Sequence, residues 1–106
     1  MKKYKLTQET NEQGLHRIRA LRDIPLYGVK KGDLGGFVEE GNNLSQKGDC
    51  WIADDAIVRG HAIVRDEAIV SDDAIVRDHA IVRDDAIVIE HAIVRDHAIV
   101  EGYAIV

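Results

Sequence analysis

The tripeptide Ala-Ile-Val occurs nine times between Ala56 and Val106, each copy starting six residues after the one before. A helix cannot use that spacing, because apolar triplets six residues apart march around a 3.6-residue turn instead of lining one face, and Ile and Val are β-branched. The period therefore predicts strands. In an extended triplet Ala and Val point to one side and Ile to the other, so each short strand offers one small and one larger inward residue. A strand of three residues cannot stand alone, so the units must coil and stack, each rung bonding to the next at about 4.8 Å.

The corner residues predict how many hexads make a turn. With three, residues eighteen apart stack: Arg59, Arg77 and Arg95 form one column and His61, His79 and His97 another two positions on. With two, Arg59 would stack on Ser71, and His61 on Asp73 and Asp85. The eighteen-residue turn sorts the corners better. Its other two corners are mainly acidic, one holding Asp54, Asp55, Asp72, Asp73, Glu90 and His91, the other Arg65, Asp66, Glu67, Arg83, Asp84, Asp85, Glu101, Gly102 and Tyr103. Adjacent Arg and Asp in "VRD" relieve like-charge stacking by a surface value of about 0.2–1 kcal/mol per pair. Gly60 and Gly102 suit tight corners with positive φ.

Read from the valine, the units "VRGHAI", "VRDEAI", "VSDDAI", "VRDHAI", "VRDDAI" and "VIEHAI" resemble the hexapeptide repeat that builds left-handed parallel β-helices. The resemblance covers residues 52–106, and the left hand comes from it alone, since ordinary parallel crossovers are right-handed. The stretch "GDLGGFVEEGNNLSQKGDCWIADDA", with the opening "KYKLT", is similar to the amino-terminal part of YdcK-like bacterial proteins, which have phage-encoded relatives. The chain departs from longer members by stopping after three regular turns.

The expected fold is thus all-β: a left-handed parallel β-helix over residues 35–106, with an irregular first turn at 35–52 and regular turns at 53–106, preceded by a small β cap at 1–34. Within the cap, residues 3–6 and 15–24 alternate well enough for strands, and Tyr27 to Val29 reads as another. Repeat arrays need such caps to hide an unpaired edge. In the irregular turn Val38, Leu44, Cys50 and Ile52 should face inward. Cys50 takes the register of the repeat alanines and reads as a buried structural thiol, while Trp51 takes the outward register of the isoleucines.

Composition narrows the function. One cysteine excludes an internal disulfide framework and a cysteine-rich zinc site. No apolar run approaches the roughly 20 residues of a membrane-spanning helix, and no signal-type hydrophobic stretch follows the start, so a cytoplasmic protein without membrane partners is expected. The net charge is -5, and residues 53–106 carry five Arg against twelve Asp/Glu. General nucleic-acid binding is therefore not expected.

The outward isoleucines carry the strongest functional expectation. Three columns, Ile57, Ile75 and Ile93; Ile63, Ile81 and Ile99; and Trp51, Ile69, Ile87 and Ile105, would paint the three faces with apolar side chains, and such patches mark contact surfaces. Self-association as a homodimer or homotrimer follows, through a face or through the last rung at Val106, whose backbone groups would be open. Flat sheets also favour exposed β-branched residues for no functional reason. The Arg59, His61, Arg77, His79, Arg95 and His97 corner is the candidate site for a small anionic ligand, against the plainer reading of solvated, duplicated corner residues. Two imidazoles on neighbouring rungs approach metal-ligand spacing, but no third ligand is identifiable, so neither a metal nor a cofactor is expected. Sequestration of a nucleotide-like molecule is an alternative suggested by the phage-type relatives. Acyl transfer, with one of the three histidines as general base, is the enzymatic alternative implied by the resemblance. The loop or carboxy-terminal segment that builds the acceptor pocket in such enzymes is missing from residues 52–106, so a non-enzymatic module is the primary expectation.

Overall fold

The computed structural model describes residues 2–106; Met1, the first residue of the expected cap, lies outside them. Three strands open the chain: β1 (Tyr4–Thr10), β2 (His16–Ala20) and β3 (Leu34–Val38). Nine two-residue strands follow at six-residue intervals: β4 (Trp51–Ile52), β5 (Ile57–Val58), β6 (Ile63–Val64), β7 (Ile69–Val70), β8 (Ile75–Val76), β9 (Ile81–Val82), β10 (Ile87–Val88), β11 (Ile93–Val94) and β12 (Ile99–Val100). They form three sheets, β4-β7-β10, β6-β9-β12 and β1-β2-β3-β5-β8-β11.

Register gives the turn length directly. Ile57 pairs with Ile75 and Ile75 with Ile93, parallel and eighteen residues apart each time. The chain is therefore a parallel β-solenoid with three strands per coil. Backbone bonds run from coil to coil through strand and corner alike, as in Arg59 N–H to Val76 O at 2.9 Å, His61 N–H to Asp78 O at 2.8 Å and Ile63 N–H to Ala80 O at 3.0 Å. Inside, Ala and Val of every triplet from Ala56 to Val88 are completely buried, and Val38, Leu44, Cys50 and Ile52 continue the same core into the irregular turn.

The corners explain the recurring aspartate. Asp54, Asp66, Asp72, Asp78, Asp84, Glu90 and Asp96 all have φ of 56–62°, the left-handed region, and Gly60 and Gly102 occupy the same position at 65°. Asp tolerates that conformation better than most non-glycine residues. Its short carboxylate also accepts the corner N–H of the coil above: Asp72 and Glu90 donate in turn to Asp54 and Asp72, Asp84 and Gly102 to Asp66 and Asp84, and Asp96 to Asp78, at 2.9–3.2 Å. The corner aspartate thus satisfies a backbone donor that the ladder leaves over.

At the amino-terminal end β1 and β2 pair antiparallel, β2 pairs antiparallel with β3, and β3 runs parallel to β5 with Phe37 opposite Ile57. The hairpin therefore continues one solenoid sheet past its first coil. Gly36 permits the close approach of β3, since a Cβ there would lie 2.5 Å from the Ala56 carbonyl oxygen and from an Ile52 methyl. The strand expected at Tyr27 to Val29 is corrected to a 3-10 turn at Pro25–Tyr27. Pro25 fixes φ and removes a donor, and the turn is closed by an antiparallel bridge between Ile24 and Val29.

Candidate functional site

The Arg/His corner follows β5, β8 and β11, and the solenoid brings its residues together from three coils. His61 and His79 stack with ring centroids 5.1 Å apart and planes 12° from parallel, and His79 and His97 at 4.9 Å and 11°. All three rings are exposed. The in-register ladder imposes this: bonds from His61 N–H to Asp78 O and His79 N–H to Asp96 O, both 2.8 Å, hold successive backbones in line.

The arginines diverge more. Arg59 reaches back to Gln13 Oε1 at 3.1 Å, and Arg95 Nε lies 3.6 Å from Asp96 Oδ2. Arg59 and Arg77 line a shallow hollow together with Glu39, Gly60 and Asp78. The corner is therefore mixed in charge. Among the described residues no three His, Cys, Asp or Glu side chains are grouped to hold a metal ion.

The three apolar faces differ. On the β4-β7-β10 face Trp51 pairs in register with outward Ile69, yet only 1% of it is exposed. The expected contact role of Trp51 is thereby corrected. The amino-terminal segment covers the ring, and a Cβ on Gly35 would lie 2.8 Å from both Trp51 Cζ2 and Ile18 Cγ1. On the β5-β8-β11 face Phe37 precedes Ile57, and the Arg17 guanidinium lies over its ring at 4.1 Å from the centroid. That guanidinium is fixed by Glu9 at 2.9 Å and Asp55 at 3.2 Å.

The β6-β9-β12 face has no aromatic residue in its column, and Ile63 and Ile99 are 37% and 55% exposed. Ile81 between them is half-buried, as are Ile57, Ile69, Ile75 and Ile87 on the other two faces. In the last coil Ile93, Ile105 and Val106 are exposed. The open backbone expected at Val106 is corrected: its N–H donates to Ile87 O at 2.8 Å and its carbonyl accepts from Ile89 N–H at 3.0 Å, because the last strand pairs back onto the coil before it.

One polar cluster has no simple sequence signature. Lys3 is completely buried, and its Nζ meets the Cys50 carbonyl at 2.7 Å, Cys50 Sγ at 3.1 Å and the Gly48 carbonyl at 3.2 Å. Three acceptors match the three donors of an ammonium group. Burial lowers the pKa of Lys3, partly offset by Cys50, and burial raises that of the Cys50 thiol, partly offset by Lys3. Beside them Tyr4 shares its single hydroxyl proton between the Gly41 and Leu44 carbonyls. Burial pushes Tyr4 up to about 12. Lysine in an alternating strand reads as solvent-facing, so nothing in the pattern separates Lys3 from Lys5.

Across the molecule, no helix is long and apolar enough to cross a membrane among the described residues. Compared with known proteins, the chain matches no protein-family model and no curated protein.

Proposed function

We propose that this chain is a non-enzymatic assembly and binding module of the hexapeptide-repeat, YdcK-like kind its residues resemble, and that it self-associates through the β6-β9-β12 face. The observation that supports this is the contrast among faces. The amino-terminal segment covers Trp51 and Phe37 on two of them, whereas Ile63 is 37% exposed on the third; the last-coil isoleucines Ile93, Ile99 and Ile105 are exposed on all three alike. Exposed apolar columns of this kind are typical contact surfaces.

A second copy of the chain suits that face. A twofold axis through Ile81, perpendicular to the solenoid axis, sets Ile63 of one copy against Ile99 of the other and Arg65 against Glu101, since both charged residues follow the strands of this column. The pairing is apolar at the centre and polar on that rim, where Arg83, paired in its own chain with Glu101 at 2.5 Å, meets its counterpart at the axis. Light scattering coupled to size exclusion, over a range of concentrations, tests the reading. A dimer that Ile63→Lys, Ile81→Lys and Ile99→Lys together convert to a monomer is the expected result. A monomer of 11.8 kDa at every concentration overturns it.

The hollow that Arg59 and Arg77 share supports a second reading, a small anion at the Arg/His corner. Thermal stabilisation by phosphate that disappears in Arg59→Gln with Arg77→Gln is the expected result for that reading, and an unchanged shift removes it.

A further inference from the structure

We propose that the stacked histidines chelate a divalent transition-metal ion, with His79 as the ligand shared by two alternative pairs, His61 with His79 and His79 with His97. Three features of the corner combine. The rings repeat on successive coils at 5.1 and 4.9 Å, nearly parallel, so the imidazoles of adjacent coils lie side by side. Their backbones are fixed by the 2.8 Å coil-to-coil bonds of His61 and His79, so little ordering remains to oppose binding. The rings are solvent-exposed, unlike His16, whose Nδ1 is engaged by the Thr7 carbonyl at 3.0 Å, and they lack the neighbouring carboxylate that His91 has in Asp73 at 3.9 Å.

Coordination geometry sets the requirement. Imidazole nitrogens bind such ions at about 2.0–2.1 Å, so two ligands on adjacent positions of one ion lie about 3 Å apart. From the observed stacking the nitrogens must approach by about 2 Å and the ring planes, now 11–12° apart, must open until the two lone pairs converge at roughly 90–110° on one ion, a change of side-chain rotamer that exposed rings can make with the backbone unmoved. Two imidazoles leave the remaining positions to water or to a small ligand. The donor set favours Cu²⁺, Ni²⁺ and Zn²⁺ and gives nothing to Mg²⁺ or Ca²⁺, which take oxygen ligands. A two-ligand chelate needs no third protein ligand, the requirement on which the sequence pattern alone argues against a metal.

The arrangement makes a prediction that scattered surface histidines do not share. His79→Ala removes both pairs and leaves His61 and His97 two coils apart, whereas His61→Ala or His97→Ala each leaves one pair whole. Calorimetric titration of the full chain with NiCl₂ should therefore give binding roughly 10²-fold weaker in His79→Ala, the gain that linking two ligands provides. The His61→Ala, His97→Ala and His91→Ala variants should stay within about twofold of the parent, and MgCl₂ should give no heat of binding. The nitrogen hyperfine pattern of bound Cu²⁺ should change from two imidazoles to one in His79→Ala. Equal nickel affinity in His79→Ala and the parent, or a one-nitrogen copper spectrum in both, overturns the proposal. All four positions are exposed, so far-UV circular dichroism should be unchanged, and binding should weaken on acidification because protons compete with the metal for the ligands.

Discussion

Residues 2–52 and residues 53–106 build one continuous core by opposite means. In the regular coils every stabilising device is repeated: the Ala/Val interior recurs in each hexad, and the bond from a corner N–H to the aspartate carboxylate one coil below recurs at Asp54, Asp66, Asp72, Asp78 and Asp84. In the amino-terminal part each device occurs once. Trp51 is buried beneath the amino-terminal segment on one face, Gly36 admits β3, and Lys3 and Tyr4 satisfy the carbonyls of the irregular turn. A solenoid thus spreads its stability over many equivalent contacts, while its cap concentrates the task in a few unlike side chains. Single substitutions should therefore matter most at the capped end.

The largest expected difference lies within one column. Trp51 and Ile87 share the β4-β7-β10 sheet, but Trp51 is buried beneath the cap and Ile87 is only half-buried. Trp51→Ala should destabilise by about 3–5 kcal/mol, the usual result of emptying a buried aromatic site. Ile87→Ala should cost about 1–2 kcal/mol, in proportion to its smaller burial. Urea denaturation followed by circular dichroism measures both. Equal costs would mean that the cap adds nothing to the burial of Trp51.

The cap should also respond to alkali in its own way. Tyr4 has a folded-state pKa raised to about 12 by burial, against about 10 in an unfolded chain. A phenol with a raised folded pKa contributes stability that is fully present below pH about 10 and is lost as pH rises toward 12, up to roughly 2–3 kcal/mol. Cys50, also raised, acts in the same direction, and Lys3, lowered by burial, acts in the opposite one. The informative quantity is thus the difference between the parent and Tyr4→Phe. That variant should lose the Tyr4 share of the alkaline slope, and at neutral pH it should cost about 1–3 kcal/mol because the Gly41 and Leu44 carbonyls lose a donor. Parallel stability curves for the two proteins would show that Tyr4 does not govern the cap.

The same contrast explains what was legible beforehand. A strict period fixes register, so the eighteen-residue coil, the Ala/Val interior and the His61, His79 and His97 column could all be read from spacing. The outward register of Trp51 was also legible, but its burial was not, because register says which way a side chain leaves the sheet and nothing about what lies above it. Lys3 was invisible for a related reason: its partners, Gly48 and Cys50, are more than forty residues away. The corner aspartates were plainly repeated, but pairing them with arginine overlooked the backbone. Their shared column with Gly60 and Gly102 was the available signal, since glycine and aspartate have tolerance of positive φ in common.

That last point leads to the smallest effect and the cleanest separation of causes. Asp72 has φ of 62°, donates its own N–H to Asp54 and accepts that of Glu90 at 2.9 Å. Asp72→Asn keeps the acceptor and the tolerance of the left-handed region while removing one charge from a column that also holds Asp54 and Glu90. It should fall within about 0.5 kcal/mol of the parent. Asp72→Ala loses the acceptor and strains the corner, and should cost about 1–2 kcal/mol. Asp72→Gly relaxes the backbone but leaves the Glu90 N–H without a partner, so its cost should lie between the two. Thermal denaturation of the three variants ranks them. If Asn and Ala prove equal, the corner aspartates are solvated charge and the coils are held by their ladder and interior alone. If the order is as given, each coil is latched to the next at its corners, and costs at separate corners, such as Asp72→Ala and Asp84→Ala, should add because they share no partner.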